Sequence, residues 1–369
     1  MIQEQATAQL PPQLESGLNE SQLAGLDAMR AIAALAVVFY HFGIPMISGG
    51  EGVLMFFVLS GFLITWLLLR ENDEFGSVSL RKFYLRRSLR IFPAFYCYAA
   101  VLFGVLIIRH TRIVWPQALA ALFYVSNYYQ AINGDPNTGF SHTWSLSIEE
   151  QFYVLWPMTF LLLRRNYRRM SLVLVSAILA VWLYREVLIF VFQVHQGYIY
   201  EAFDTRADHL LIGCLLAVTL RARLWPQFWN WISVRSWMAA VVAALLAISS
   251  VAEWMYGPVY RDGLSFIINP LLAAIWITQL IALRGATLWR WTSWPAVRYL
   301  GRISYSIYLY QQLFVDVPKK LLPHLPVILQ LAATVALIVL VASASHFFIE
   351  RPFLRLKARF KQTAVGATA

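Results

Sequence analysis

Arg30 and His41 stand eleven residues apart inside the first strongly apolar stretch of the chain, Leu26 to Phe42. A guanidinium can grip phosphate or carboxylate through two hydrogen bonds at once. An imidazole can take and return a proton near neutral pH. Eleven steps of about 100° along an α-helix return to within about 20° of the start, so both side chains share one face. They lie about 16 Å apart along the axis. An ionisable group inside a membrane span is costly and is a site candidate by default. Arg30 alone also fits a side chain snorkelling to a headgroup, and His41 alone fits a structural histidine. The two on one face favour a site.

Three other clusters carry groups of the same kind. Ser141 to Tyr153 leads into an apolar run with His142, Trp144 and two carboxylates, Glu149 and Glu150. Helix capping by Ser141 or Ser145, with both Glu in the first turn, is the plain account. The functional account has Glu149 or Glu150 orienting or charge-pairing an imidazole such as His41. Asp204 to His209 reads either as a local Asp–Arg pair or as Arg206 facing a cavity and binding a polar or anionic group. Arg86, Arg87 and Arg90 precede Ile91-Phe92-Pro93 at helical spacing. They suit either anchoring to lipid phosphates or a bidentate grip on a phosphorylated ligand, with Arg30 as a fourth cation at the same face.

The elements that must position these residues are membrane helices. The 369 residues are 59% hydrophobic and 13% charged, against about 25% charged in soluble domains. An all-α, polytopic membrane helix bundle is expected. Runs able to cross about 30 Å of hydrocarbon fall near 26–45, 52–69, 91–108, 146–163, 170–192, 207–220, 237–254, 264–283, 300–317 and 325–348, about ten in all. Residues 113–129 are apolar but broken by Pro116 and Asn127, and read as re-entrant or interfacial. Alternate loops hold the dense Lys and Arg runs, which puts both termini in the cytoplasm, Arg30 near the inner surface and His41 near the outer. The net charge of +11 is then a matter of topology, and no nucleic-acid partner is implied. Cys97 and Cys214 lie far apart in apolar segments, so neither a disulfide framework nor a metal site is expected. Residues 1–24 read as a flexible polar tail without signal-peptide character, 25–356 as one membrane domain and 357–369 as a basic tail. No long hydrophilic stretch points to an attached soluble domain.

These stretches together resemble the acyltransferase-3 family of integral membrane acyltransferases. The matching residues are Gly25-Leu26-Asp27 with Arg30 and His41; Phe56-Phe57-Val58-Leu59-Ser60-Gly61-Phe62; Arg86-Arg87 with Arg90, Ile91 and Pro93; and Trp144-Ser145-Leu146 with Glu149 and Phe152-Tyr153. Arg206 with Gly213, Ser304-Tyr305-Ser306 with Tyr308-Leu309, and Glu350 with Pro352 complete the order. The resemblance implies transfer of an acyl group, commonly acetyl, from cytoplasmic acyl-CoA to a sugar hydroxyl outside the bacterial inner membrane, with no metal. It puts Arg30, Arg86, Arg87 and Arg90 on the donor and His41, Glu149 and Arg206 on catalysis. His41 would take the acceptor proton, with direct transfer preferred over an acyl-His41 intermediate. Leu54 and Gln311 stand where the family often has an acidic residue and a histidine. The rival reading is a proton-coupled transporter or flippase, against which the lack of an internal repeat counts.

Overall fold

The computed structural model describes residues 9–20, 23–283, 285–357 and 360. Helices dominate, and no strand occurs among the described residues. In chain order they are α1 (Pro12–Leu18), α2 (Ala24–Phe42), α3 (Gly49–Phe75), α4 (Leu80–Ile108), α5 (Trp115–Leu122), α6 (Ser126–Asn133) and α7 (Thr143–Leu163). Next come α8 (Tyr167–Phe190), α9 (Gln196–Glu201), α10 (Phe203–Arg221), α11 (Pro226–Val234), α12 (Ser236–Tyr256) and the one-turn α13 (Pro258–Tyr260). The chain continues through α14 (Phe266–Ala282), α15 (Pro295–Arg302), α16 (Ser304–Phe314), α17 (Val317–Leu321), α18 (Val327–Ser345) and α19 (Arg351–Lys357). A π-helical turn, His346–Glu350, joins α18 to α19.

Seven of these segments are long and apolar enough to cross a membrane: α2, α3, α4, α8, α12, the run from α13 to α14, and the run from α18 to α19. The other three expected spans coincide with α7, α10 and the pair α15–α16. The first two carry their charged and polar residues mainly in the N-terminal part of each helix, and the pair is interrupted at Ile303. Residues 113–129 form α5 and the start of α6, each helix eight residues long and too short to span.

Helix α3 is central. Its most apolar window is 78% buried, against 22% for α8, α12 and α18. Those peripheral helices turn large apolar side chains outward, among them Leu183, Ile248 and Leu340, as a lipid-facing surface requires. Helix α10 crosses α3 backbone to backbone. A Cβ on Gly61 would stand 1.9 Å from the Leu210 carbonyl oxygen, and one on Gly213 2.1 Å from that of Val58. Small residues at such a crossing let membrane helices approach closely, and here they bring Arg206 against α3. Helix α2 ends at Gly43, whose φ of 96° turns the chain into α3.

The expectation of a flexible tail over residues 1–24 is corrected at 12–18. Leu10, Leu14 and Leu18 repeat at i, i+4, i+8 and are buried, and α1 packs on α14. Residues 1–8 and 21–22 of that tail lie outside the described residues, as does nearly all of the basic tail 357–369, of which only 357 and 360 are described.

Candidate functional site

A cavity of about 470 Å³ opens among α2, α3, α4, α7, α15 and α16 and the π-helical turn. Its lining residues on α3 run from Val53 to Arg70, which is about 25 Å at 1.5 Å per residue. Arg30, Arg87 and Arg90 line it, as do Ser145 and Tyr308. Glu149 and Glu150 line it as well.

The cations differ in their engagement. Arg30 is held by Asp27 at 3.2 Å, one turn earlier on α2. The Arg87 guanidinium sits 4.6 Å from the centre of the Tyr153 ring. Arg86 is absent from the lining. It pairs with Glu71 at 2.6 Å and donates to the Phe360 carbonyl at 3.2 Å. The expected four-cation cluster is therefore three cations on the cavity. Arg86, about 100° around the helix from Arg87, ties α4 to α3 instead.

Glu149 accepts from Ser60 Oγ at 2.7 Å and from Tyr153 OH at 3.1 Å. Ser60 and Tyr153 also line the cavity. Tyr153 thus links the carboxylate to Arg87. The expected pairing of Glu149 with His41 is not formed, because both oxygens are taken up on the cavity wall. Glu150 faces the same cavity with a buried Oε1 that has no hydrogen-bond partner among the described residues. The capping account also fails. Helix α7 begins at Thr143 and places both carboxylates past its first turn, Ser145 is inside it, and Ser141 Oγ donates to Asp135 at 2.7 Å.

Tyr308 OH lies 2.5 Å from Ser145 Oγ and donates to the His142 carbonyl at 2.9 Å. His142 is buried, its ring against those of Tyr98 and Tyr308, and neither of its nitrogens has a hydrogen-bond partner among the described residues. His41 lies beyond this layer and does not line the cavity, but is within electrostatic reach of His142. Its Nδ1–H donates to the Val37 carbonyl at 2.9 Å. A carbonyl only accepts, so the proton sits on Nδ1 and the Nε2 lone pair is left free.

Arg206 is fully buried behind the cavity wall. Its guanidinium carbon is 3.9 Å from the Phe266 ring centre, 5.0 Å from Tyr200, and 5.8 Å from both Phe57 and Trp144. Nε donates to His209 Nδ1 at 3.2 Å, and both terminal nitrogens lack a hydrogen-bond partner among the described residues. Only Phe57 among these rings reaches the cavity, so Arg206 is not on its surface. The local Asp–Arg alternative fails as well. Asp204 accepts from Tyr128, Tyr184 and Tyr198, while Asp208 pairs with Arg185 at 3.1 Å.

Several groups carry no clear signal in the sequence. Ser60 and Glu149 are 89 residues apart, and no spacing rule joins them. Tyr153 is the exception, being one turn from Glu149 on the same helix face. Buried Glu51 accepts from Asn269 and, at 3.2 Å, from Ser249, and has no signal beyond being a carboxylate next to an apolar run.

The profile of the acyltransferase-3 family, described as an acyltransferase domain, matches residues 23–346. The chain is 33% identical over 360 residues to a Bacillus subtilis (strain 168) protein named "Putative peptidoglycan O-acetyltransferase YrhL", covering 89% of this chain and 54% of that one. It is 32% identical over 361 residues to peptidoglycan O-acetyltransferase OatA of Listeria monocytogenes, covering 89% and 55%. A Staphylococcus aureus (strain COL) protein named as an O-acetyltransferase of the same provisional kind is 30% identical over 362 residues, covering 90% and 57%. The chain spans about half the length of these relatives. No solved structure matches it.

Proposed function

Because this chain belongs to the acyltransferase-3 family, we propose that it is a bacterial multi-pass membrane O-acyltransferase. It takes an acyl group, acetyl in the simplest case, from acyl-CoA on the cytoplasmic side and delivers it to a glycan hydroxyl on the other side. The observation that carries this reading is the cavity itself. Three guanidinium groups, two hydroxyls and a hydrogen-bonded carboxyl line one cavity that follows α3 for about 25 Å.

Arg30, Arg87 and Arg90 hold the donor's phosphates by charge-assisted hydrogen bonds. The thioester arm then runs along α3 past Glu149 toward Ser145 and Tyr308. The acceptor hydroxyl attacks the thioester carbonyl carbon as His41 Nε2 takes its proton. The carbon–sulfur bond breaks, and the Glu149 carboxyl supplies a proton to the departing sulfur. His41 and Glu149 return to their starting states when the proton taken by one is restored to the other. His41 lies beyond the Tyr308–His142 layer, so that layer must open for attack. Arg206 acts as a positioning residue, bracing Phe57 and Trp144 from behind. The placement of the basic residues in the cytoplasm rests on the loop charges.

The reading is tested with purified protein in proteoliposomes, labelled acetyl-CoA inside and glycan oligosaccharides outside, peptidoglycan fragments among them. Label should appear on the glycan as an alkali-labile ester. Wild-type protein that moves labelled glycan across the bilayer without acetylating it would instead make this a carrier.

A further inference from the structure

A second cavity of about 290 Å³ adjoins the first and shares two of its walls, Trp66 and Arg70. These residues are four apart on α3 and so lie on one face. Trp66 is 5% exposed, stacks on Phe62 at 5.9 Å, and its buried indole Nε1 has no hydrogen-bond partner among the described residues. Arg70 is exposed and forms no hydrogen bond or ion pair among the described residues. Glu74, one turn beyond Arg70 on the same face of α3, and the Asp73–Arg221 pair at 2.5 Å also line the second cavity. Helix α3 has 27 residues and is about 40 Å long, so it outruns a core of about 30 Å. Arg70 and Glu74 fall in the part that extends past the bilayer core, on the side of Arg30.

We propose that the Trp66–Arg70 step between the two cavities is the subsite for the nucleotide end of the donor, an adenosine carrying phosphate. This rests on the acyl-CoA reading above. The residue types fit that ligand. An indole N–H can donate to a purine ring nitrogen. A guanidinium with no other partner takes a phosphate at the ribose. Glu74 accepts from a ribose hydroxyl or the exocyclic amine. Arg30, Arg87 and Arg90 are left for the diphosphate deeper in the first cavity.

The test is binding of radiolabelled CoA to the detergent-solubilised full chain, with adenosine 3′,5′-bisphosphate as competitor. The bisphosphate should displace CoA from the wild type. Arg70→Glu, an exposed substitution that leaves packing alone, should weaken both CoA and the bisphosphate by about tenfold or more, the size of one charge-assisted contact. Arg90→Ala should weaken CoA more than the bisphosphate, which keeps only one of the two phosphates of the diphosphate. Failure of the bisphosphate to displace CoA, or wild-type affinity for both ligands in Arg70→Glu, overturns the subsite and leaves the donor reading standing. Wild-type protein that binds no CoA overturns the donor reading itself.

Discussion

Arg30, Arg87 and Arg90 on the cavity, and Arg206 behind its wall, are one residue type in two opposite settings. The first three line an opening and keep hydrogen-bonding capacity directed into it. Arg206 is sealed among four aromatic rings with its terminal nitrogens unsatisfied. A buried unpaired cation costs several kcal/mol before compensation, and the ring faces return part of that through cation–π attraction. An arginine in a membrane sequence therefore announces expense, not purpose. Whether it binds a ligand or braces a wall depends on what surrounds it. The open region is built to receive charge, and the sealed region is built to hold shape.

Activity should break this comparison most sharply where the two regions must communicate. His41→Ala is expected to abolish transfer while leaving insertion and CoA binding intact, since the Nε2 lone pair that takes the acceptor proton is lost. Normal glycan acetylation by that variant would remove His41 from the mechanism. Glu149→Gln should lower transfer about 100-fold or more, the usual weight of a positioned acid or base. Glu150→Gln should lower it less than about tenfold, because Glu150 lacks the Ser60 and Tyr153 bonds that orient its neighbour. Equal losses in the two variants would show that charge on the cavity matters and orientation does not.

Within the open region, Arg90→Ala should raise the apparent KM for acyl-CoA about tenfold, with partial recovery in Arg90→Lys. Arg86→Ala should leave KM unchanged and lower Tm, because its partner is Glu71. A KM effect from Arg86 as large as that from Arg90 would restore the four-cation cluster. In the sealed region, Arg206→Met keeps volume and removes the charge. It should leave Tm near or above the wild type, leave donor KM alone, and lower kcat about tenfold through slackening of Phe57 and Trp144. A rise in acceptor KM without a change in kcat would mean that Arg206 touches the acceptor after all.

The apolar runs placed most helices because a span of about 20 residues is a long and unambiguous signal. It weakens at α7, α10 and α15–α16, where the polar residues of the site and of the family motifs dilute the hydropathy. It misses α1, because Leu10, Leu14 and Leu18 sit among polar residues that lower any average. At the site, residue identity is legible in the sequence and direction is not. Arg86 and Arg87 look alike in sequence, and only the approach of Glu71 on α3 separates them. Ser60 and Glu149 meet because α3 and α7 pack, which no local spacing reports.

The smallest expected effect bears on the sealed region alone. Glu201 ends α9, outside the apolar helices, and its carboxyl is pushed up to about 8. Burial is the main cause and the Asp135 carboxylate adds to it, while Arg206 and Arg261 pull the other way. The native protein therefore keeps a proton on Glu201 that the unfolded chain releases above its ordinary value of 4.5. Stability follows the difference in bound protons, so this group's contribution is full below about 4.5 and is lost as pH rises toward 8. Glu201→Gln, which cannot ionise, should match the wild-type Tm at pH 4.5 and exceed it at pH 8.5, with the transfer rate at neutral pH little changed. Scanning calorimetry of the two proteins at both values checks it. If the Tm difference is the same at both pH values, the carboxyl is solvated and the region around Arg206 is more open than its packing indicates. A pH-dependent Tm with unchanged transfer would confine the effect to shape, as a sealed, bracing region requires.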